Sequence, residues 1–401
     1  MKHLLTIIFF IPLLFFGQSD TEYNIRGVDH AEKGEYHLAI ADFTEAIRIN
    51  PDDDSLYLNR GLAYYNLGNY DDAITDYIRA IRIDPEFAAA YYNRGNAYRK
   101  SRKYEEAIAD YTRVIRIDSD YSAAYNNRGI AYYNLGNYEE AIADYTRAVR
   151  IDPDYVDAYN NRGIAYGDLG NYEEAIADYT KAIRIDPDYS AAYYNRGFSH
   201  EDLGNYEEAI ADYTRAISID PDDAATYLKR GIAYYNLGNY EEAIADYTRA
   251  IRIDPYYVDA YNNRGIAYGD LGNYEEAIAD YIKAIRIDPD DAAVYYNRGF
   301  AHNELGNYEE AIADYTRAII IDPDDAATYL NRGIAYRKSR KYQEAIADYT
   351  KAIRIDPDFA AAYYNRGIAK EKAGLLYCSD YKRACDLGGK ECCEWYNNQC
   401  R

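Results

Sequence analysis

Apolar and polar positions along this chain alternate with the period of a helix, and the alternation itself returns every 34 residues. The stretch Ser122–Tyr155, SAAYNNRGIAYYNLGNYEEAIADYTRAVRIDPDY, shows the unit. In its first half Ala124, Tyr125, Gly129 and Tyr132 fall on one helical face. Gly136-Asn137 breaks the pattern, and Ala141, Tyr145, Ala148 and Val149 mark the apolar face of a second helix. Asn137 stands where an N-cap belongs, with Glu140 three residues on, the arrangement of a capping box. Pro153 has no amide hydrogen and restricts Asp152, so the second helix must stop there.

Prolines at 51, 85, 153, 187, 221, 255, 289, 323 and 357 keep this register, with Ser119 in the one missing place. Ten full units begin at Asp20, Asp54, Ala88, Ser122, Val156, Ser190, Ala224, Val258, Ala292 and Ala326. Val156–Tyr257 and Val258–Phe359 are near-copies, 102 residues each, so the array looks extended by block duplication. Gly129 and Ala141 are small where two helices must approach closely, and Tyr145 is large where the gap must be filled. The order of aromatic, small residue, Tyr, Ala, aromatic, Ala and Pro resembles the tetratricopeptide repeat over residues 20–359. That resemblance implies an all-α fold, a right-handed superhelical solenoid of antiparallel helix pairs, with a peptide-binding groove on the inner face of the first helices.

Composition narrows the function. The 401 residues are 48% hydrophobic, enough for a core that a solenoid spreads along a line. Acidic residues outnumber basic ones 68 to 45, a net charge of −23, which excludes a general nucleic-acid binder lacking its basic face. Most of the 52 tyrosines sit at packing positions. His30, His200 and His302 replace the Tyr of the first helix (compare Tyr132), so packing is their expected role. There is no Gly-rich phosphate loop, and EEAIAD recurs too often to mark one acid/base pair. We expect no enzyme activity, no cofactor and no metal.

One departure from the family pattern carries information. Where a large aliphatic residue usually precedes the Gly of the first helix, all eleven copies have Arg, from Arg26 to Arg366. The second helix carries Asp just before its aromatic in every full copy, from Asp42 to Asp348. Buried charges are rarely unpaired, so pairs such as Arg128–Asp144 and Arg162–Asp178 read as a structural ladder, with ligand-binding arginines as the alternative.

The family's groove, carried onto this sequence, would be lined by Tyr92, Asn96, Arg99 and Lys100, then Asn126, Ile130, Tyr133 and Asn134. Asn160, Ile164 and Asp168 follow, then Tyr194, Phe198, Glu201 and Asp202. Tyr235, Asn262 and Asp270 lead to Tyr296, Asn303, Glu304, Arg337 and Lys338. Basic clusters Arg99–Lys103 and Arg337–Lys341 bracket an acidic centre that includes Asp168, Asp202 and Asp270, so an extended partner of matching charge is one reading and solvated helix ends the other. The family's carboxylate clamp for chaperone tails is not matched, since its Lys is Tyr92 here. A protein or peptide partner is expected. A structural envelope component using the outer surface or ends is the alternative, and glycan stacking on groove tyrosines a weaker one.

The two ends differ from the array. Lys2 and His3 precede a largely apolar run, Leu4–Phe16, too short for a membrane span and suited to a signal peptide over residues 1–17. We therefore expect export, to a periplasm or the exterior, with no stable membrane insertion beyond that segment. Residues 360–401 begin as an eleventh first helix, then shorten and hold all five cysteines. Cys378 and Cys385 lie seven apart, as do Cys393 and Cys400, so an antiparallel turn at Gly389 would oppose Cys385 to Cys393 and Cys378 to Cys400. In an oxidising compartment two such staples would close the open end, leaving Cys392; metal binding is the rival use of the thiols.

Overall fold

Gly136 ends one helix and starts the next by taking φ of +79°, a backbone conformation that costs glycine nothing. The computed structural model describes residues 19–388 together with Cys393 and Cys400. It places α7 (Ser122–Asn134) before this turn and α8 (Tyr138–Ile151) after it. Asp152 is extended, as the following proline requires, and closes α8. Twenty-two helices of this kind, α1 (Asp20–Glu32) to α22 (Cys378–Asp386), make up the described residues, with no strand among them. The first helix of each pair starts at the residue where the sequence unit begins.

The expected capping box at Asn137 does not form. Asn137 has φ −89° and ψ 71° and makes no side-chain cap bond; only its carbonyl accepts, from the Ala141 N–H at 3.1 Å. In the matching turn of an earlier unit, Asn69 Nδ2 donates to Asp72 Oδ2 at 2.7 Å, so the two side chains expected to hold the backbone hold each other. Side-chain caps sit instead on first helices, where Asp53, Asp223, Asp291 and Asp325 accept from the backbone, and at Ser19, whose capping box with Glu22 is complete.

Within a hairpin the helices meet through the pair that the sequence singles out. A Cβ at Gly129 would lie 2.7 Å from the Tyr145 ring, so only glycine lets that ring pass. Tyr145 is 1% exposed. Between hairpins, Ala148 and Val149 of α8 pack on Ala158 of α9 (Val156–Asp168), and Ala141 and Tyr145 on Ala165. Each first helix lies between its own second helix and the preceding one and leaves the face of Ile130, Tyr133 and Asn134 open, while each second helix exposes its far side, as at Glu139, Glu140, Ala143 and Arg147. The chain divides into two units at Pro187/Asp188. The first holds five hairpins, α1 to α10 (Tyr172–Ile185). The second runs from α11 (Ser190–Asp202) to α22 and holds six, the last one shortened.

Arg and Asp pair inside every hairpin. Arg128 Nε and Nη2 donate to the two carboxylate oxygens of Asp144, each at 2.7 Å, and Nη1 donates to Thr112 of the preceding hairpin at 2.9 Å. The Arg128 side chain is 16% exposed and that of Asp144 8%. Arg162 does the same with Asp178 and Thr146. Burial opposes the charge on Arg128, yet its bonds to Asp144 win and hold it above its ordinary pKa. The ladder ties a hairpin internally and, through threonine, to its neighbour. At Arg94 and Arg298 the neighbouring position is Ile78 and Ile282, and the fork to Asp persists without the third bond.

The C-terminal end keeps the ladder while losing the length. Arg366 of α21 (Ala360–Lys372) forks onto Asp380 of the nine-residue α22. Cys378 is joined to Cys400 and Cys385 to Cys393, with Cα separations of 5.7 and 4.7 Å. The signal-like residues 1–17, Gly389, Cys392 and Trp395 lie outside the described residues. No helix among the described residues is long and apolar enough to cross a membrane.

Candidate functional site

Much of the lining expected for the groove is spent on holding hairpins together. Asn127 Nδ2 donates to Tyr92 Oη and to Asn96 Oδ1 of the preceding hairpin, both at 2.9 Å. Asn161 donates to Asn126 Oδ1, Asn297 to Asn262 Oδ1 and Asn331 to Tyr296 Oη, each pair 35 residues apart. Asn126, Asn160 and Asn303 are 3%, 5% and 7% exposed, so as partner-binding groups they are corrected to buried ones. For Asn126 the neighbouring hairpin supplies the hydrogen bond that a buried amide needs, from Asn161, whereas Asn303 donates to Glu304 of its own helix at 3.0 Å and its Oδ1 is buried without a partner. Tyr194 likewise lies against Tyr213, ring centroids 5.8 Å apart. The signal in the sequence is the Asn that stands one position before nine of the eleven ladder arginines.

What stays on the open face is a set of side chains near the C-terminal ends of the first helices. Tyr133 of α7 donates to Asp168 Oδ2 of α9 at 2.5 Å, and Tyr235 of α13 (Ala224–Asn236) to Asp270 of α15 (Val258–Asp270) at 2.5 Å. Burial and then the neighbouring carboxylate push both hydroxyls well above the ordinary tyrosine pKa, so they stay protonated donors. Beside Tyr133 lies a cleft of about 200 Å³ lined by Ile130, Tyr133, Asn134, Tyr145, Asn161 and Ile164. The tetratricopeptide-like duplication makes Tyr235 and Asp270 the counterparts of Tyr133 and Asp168, 102 residues on.

The charged candidates separate into two kinds. Lys100 and Asp202 are exposed. Glu201 is largely enclosed: Tyr213 Oη donates to it at 2.9 Å and Lys229 Nζ at 3.2 Å, while Lys229 lies 4.5 Å from the Phe198 ring centre. Lys229 was missed, although it is the one full copy with Lys where its counterparts carry Asn or, in the first unit, Ile25. Lys338 reaches Glu304 at 3.7 Å. Arg99 and Arg337 insert beside Tyr111 and Tyr349, with each Nε buried and unbonded. His200 and His302 are half-buried, and burial pushes both below the ordinary histidine pKa, as suits the packing role.

Comparison with known proteins agrees with this architecture. The family profile described as TPR repeat matches residues 27–68, 61–101, 95–136, 131–170, 201–238, 233–272 and 267–306. Profiles described as tetratricopeptide repeat match 156–189, 292–325 and 326–359, and another 178–211. Among solved structures, MamA is 29% identical over 41% of this chain and 96% of its own, with a TM-score of 0.40. YrrB, described as a TPR protein with an unusual peptide-binding site, is 26% identical over 46% of this chain and 95% of its own, with a TM-score of 0.40. A tetratricopeptide repeat protein from Parabacteroides merdae is 23% identical over 62% of this chain and 99% of its own, with a TM-score of 0.47. No curated protein matches the sequence.

Proposed function

Because the chain belongs to the tetratricopeptide-repeat family, we propose that it is an exported, non-catalytic scaffold holding a protein or peptide partner on the open faces of its first helices. The observation that carries this reading is the division of labour among positions. Ladder arginines, aspartates and asparagines are consumed by packing, whereas Ile130, Tyr133, Asn134, Ile164 and Asp168 leave a cleft and a polar rim facing outward. Phe198 and Phe300 add apolar surface to the same face of the second unit, 39% and 45% exposed. Such a mixture of apolar seats and fixed hydrogen-bonding groups suits an extended chain better than a reaction centre. Support for export comes from the residue types of Leu4–Phe16 and from disulfides, which persist in oxidising compartments.

Affinity capture from an envelope extract tests the reading. The mature chain would be compared with a variant carrying Asp168→Lys, Asp202→Lys and Asp270→Lys. Partners retained by the first and lost by the second place function on this face. The same partners on both would move it to the outer surface or the ends, and the reading would fall.

A further inference from the structure

The cleft beside Tyr133 is too small for a cofactor. Its volume of about 200 Å³ is below the roughly 300–1,000 Å³ of small-molecule sites, so it suits a single side chain. Its walls are the hydrocarbon of Ile130 and Ile164 and the ring of Tyr145. Its rim is polar, with Asn134, Asn161 and the hydroxyl of Tyr133. That hydroxyl is spent on Asp168, which it fixes in place at 2.5 Å. Asp168 is exposed, and among the described residues its one hydrogen-bond partner is neutral. A flexible apolar stem ending in a cation matches this sequence of surfaces: stem on the isoleucines, charge at the carboxylate.

A carboxylate held this way differs from the other acids of the face. Glu201 and Glu304 already face Lys229 and Lys338. Asp168 and Asp270 each follow a glycine, Gly167 and Gly269, where the other full copies carry Tyr, Arg, Glu or Asn, apart from Ala31 in the first. A Cβ at either glycine would meet nothing within 4 Å, so the space beside each carboxylate is open. Tyr235 repeats the bond to Asp270 in the second unit.

We propose that each Tyr–Asp pair with its adjoining open space is a subsite for one lysine or arginine side chain of an extended partner, one subsite in each unit. This rests on the reading of the open face as the binding surface and adds the chemistry of its partner: a basic segment, in keeping with the chain's net charge of −23.

The test uses the full chain and a fluorescent extended peptide of alternating serine and lysine, at physiological salt so that long-range attraction is screened. Counterparts carry arginine, citrulline or glutamate in place of lysine. Lysine and arginine peptides should bind, and the others about tenfold or more weakly, the worth of one charge-assisted bond. Asp270→Asn and Asp168→Asn should each cost a similar factor, and Gly269→Leu should block by filling open space. Asp154→Asn and Asp222→Asn, equal charge changes on exposed loops, should leave binding unchanged. If the loop variants weaken binding as much as Asp270→Asn, the attraction is diffuse and the subsite is refuted. If citrulline peptides bind equally and Gly269→Leu still blocks, the open-face reading survives and the basic subsite falls. If no peptide responds to any face variant, both fall.

Discussion

Arg128→Ala isolates what the ion-pair ladder contributes. Truncation removes two bonds to Asp144 and one to Thr112 and strands a carboxylate whose side chain is 8% exposed. An exposed pair is worth about 0–1 kcal/mol, but breaking a buried one costs about 3–5 kcal/mol, because the remaining charge has no partner and little water. With Arg128 only 16% exposed, the larger figure applies. The loss should be local, since each hairpin contacts only its neighbours, so amide exchange in α7 and α8 reads it best, beside a denaturant midpoint. Burial already pushes the Asp144 carboxyl above its usual range. Without the guanidinium that push is unopposed. A folded pKa above the unfolded value, about 3.9, means that the folded state is favoured in acid and penalised as pH rises through the folded pKa. The Arg128→Ala penalty should thus be large at neutral pH and shrink towards pH about 4. Arg128→Met with Asp144→Leu, which strands no charge, should be close to neutral. Unchanged exchange in α7 and α8 at neutral pH would refute a stabilising ladder. A penalty equally large in acid would assign the cost to lost packing instead.

Three further outcomes follow from the same geometry. Gly129→Ala should lose about 1–2 kcal/mol, overpacking against the Tyr145 ring at 2.7 Å partly offset by alanine's helix preference; a midpoint that rises would show that the ring moves aside freely. In an alkaline titration, the hairpin tyrosines from Tyr77 to Tyr381, all pushed up by burial, should keep their protons after exposed tyrosines ionise near pH about 10. Tyr349 is pushed up to about 12, and a raised folded pKa means that stability is lost as pH rises past the unfolded value, so the buried set should ionise only with cooperative unfolding. A single smooth titration of all tyrosines with helicity intact would contradict their burial. Replacing Cys378 and Cys400 by Ser should loosen α21 and α22 by about 3 kcal/mol, the chain entropy of a 22-residue separation; unchanged protection there would show that the ladder pair Arg366–Asp380 closes the end unaided.

The sequence by itself determined the helix pairs, their starting residues and the core contact. Helical periodicity, glycine at the turn and proline after it are local constraints, and Gly129 with Tyr145 recurs often enough to be read as one packing pair. It also exposed the Arg–Asp ladder, because two charges repeated at fixed register on apolar helices must meet something. Tertiary structure alone decided which polar groups remain for a partner. Asn126 and Asp168 both read as polar positions on a first helix, yet one is turned into the neighbouring hairpin and the other is held at the surface by a tyrosine. That difference depends on how the next hairpin is seated, a relation between residues 35 apart that no local pattern encodes. The same holds at the turns, where Asn137 has the residue type of a cap and the wrong ψ to act as one. Backbone direction and the neighbour's position, set by packing, choose among the bonds that a side chain is able to make.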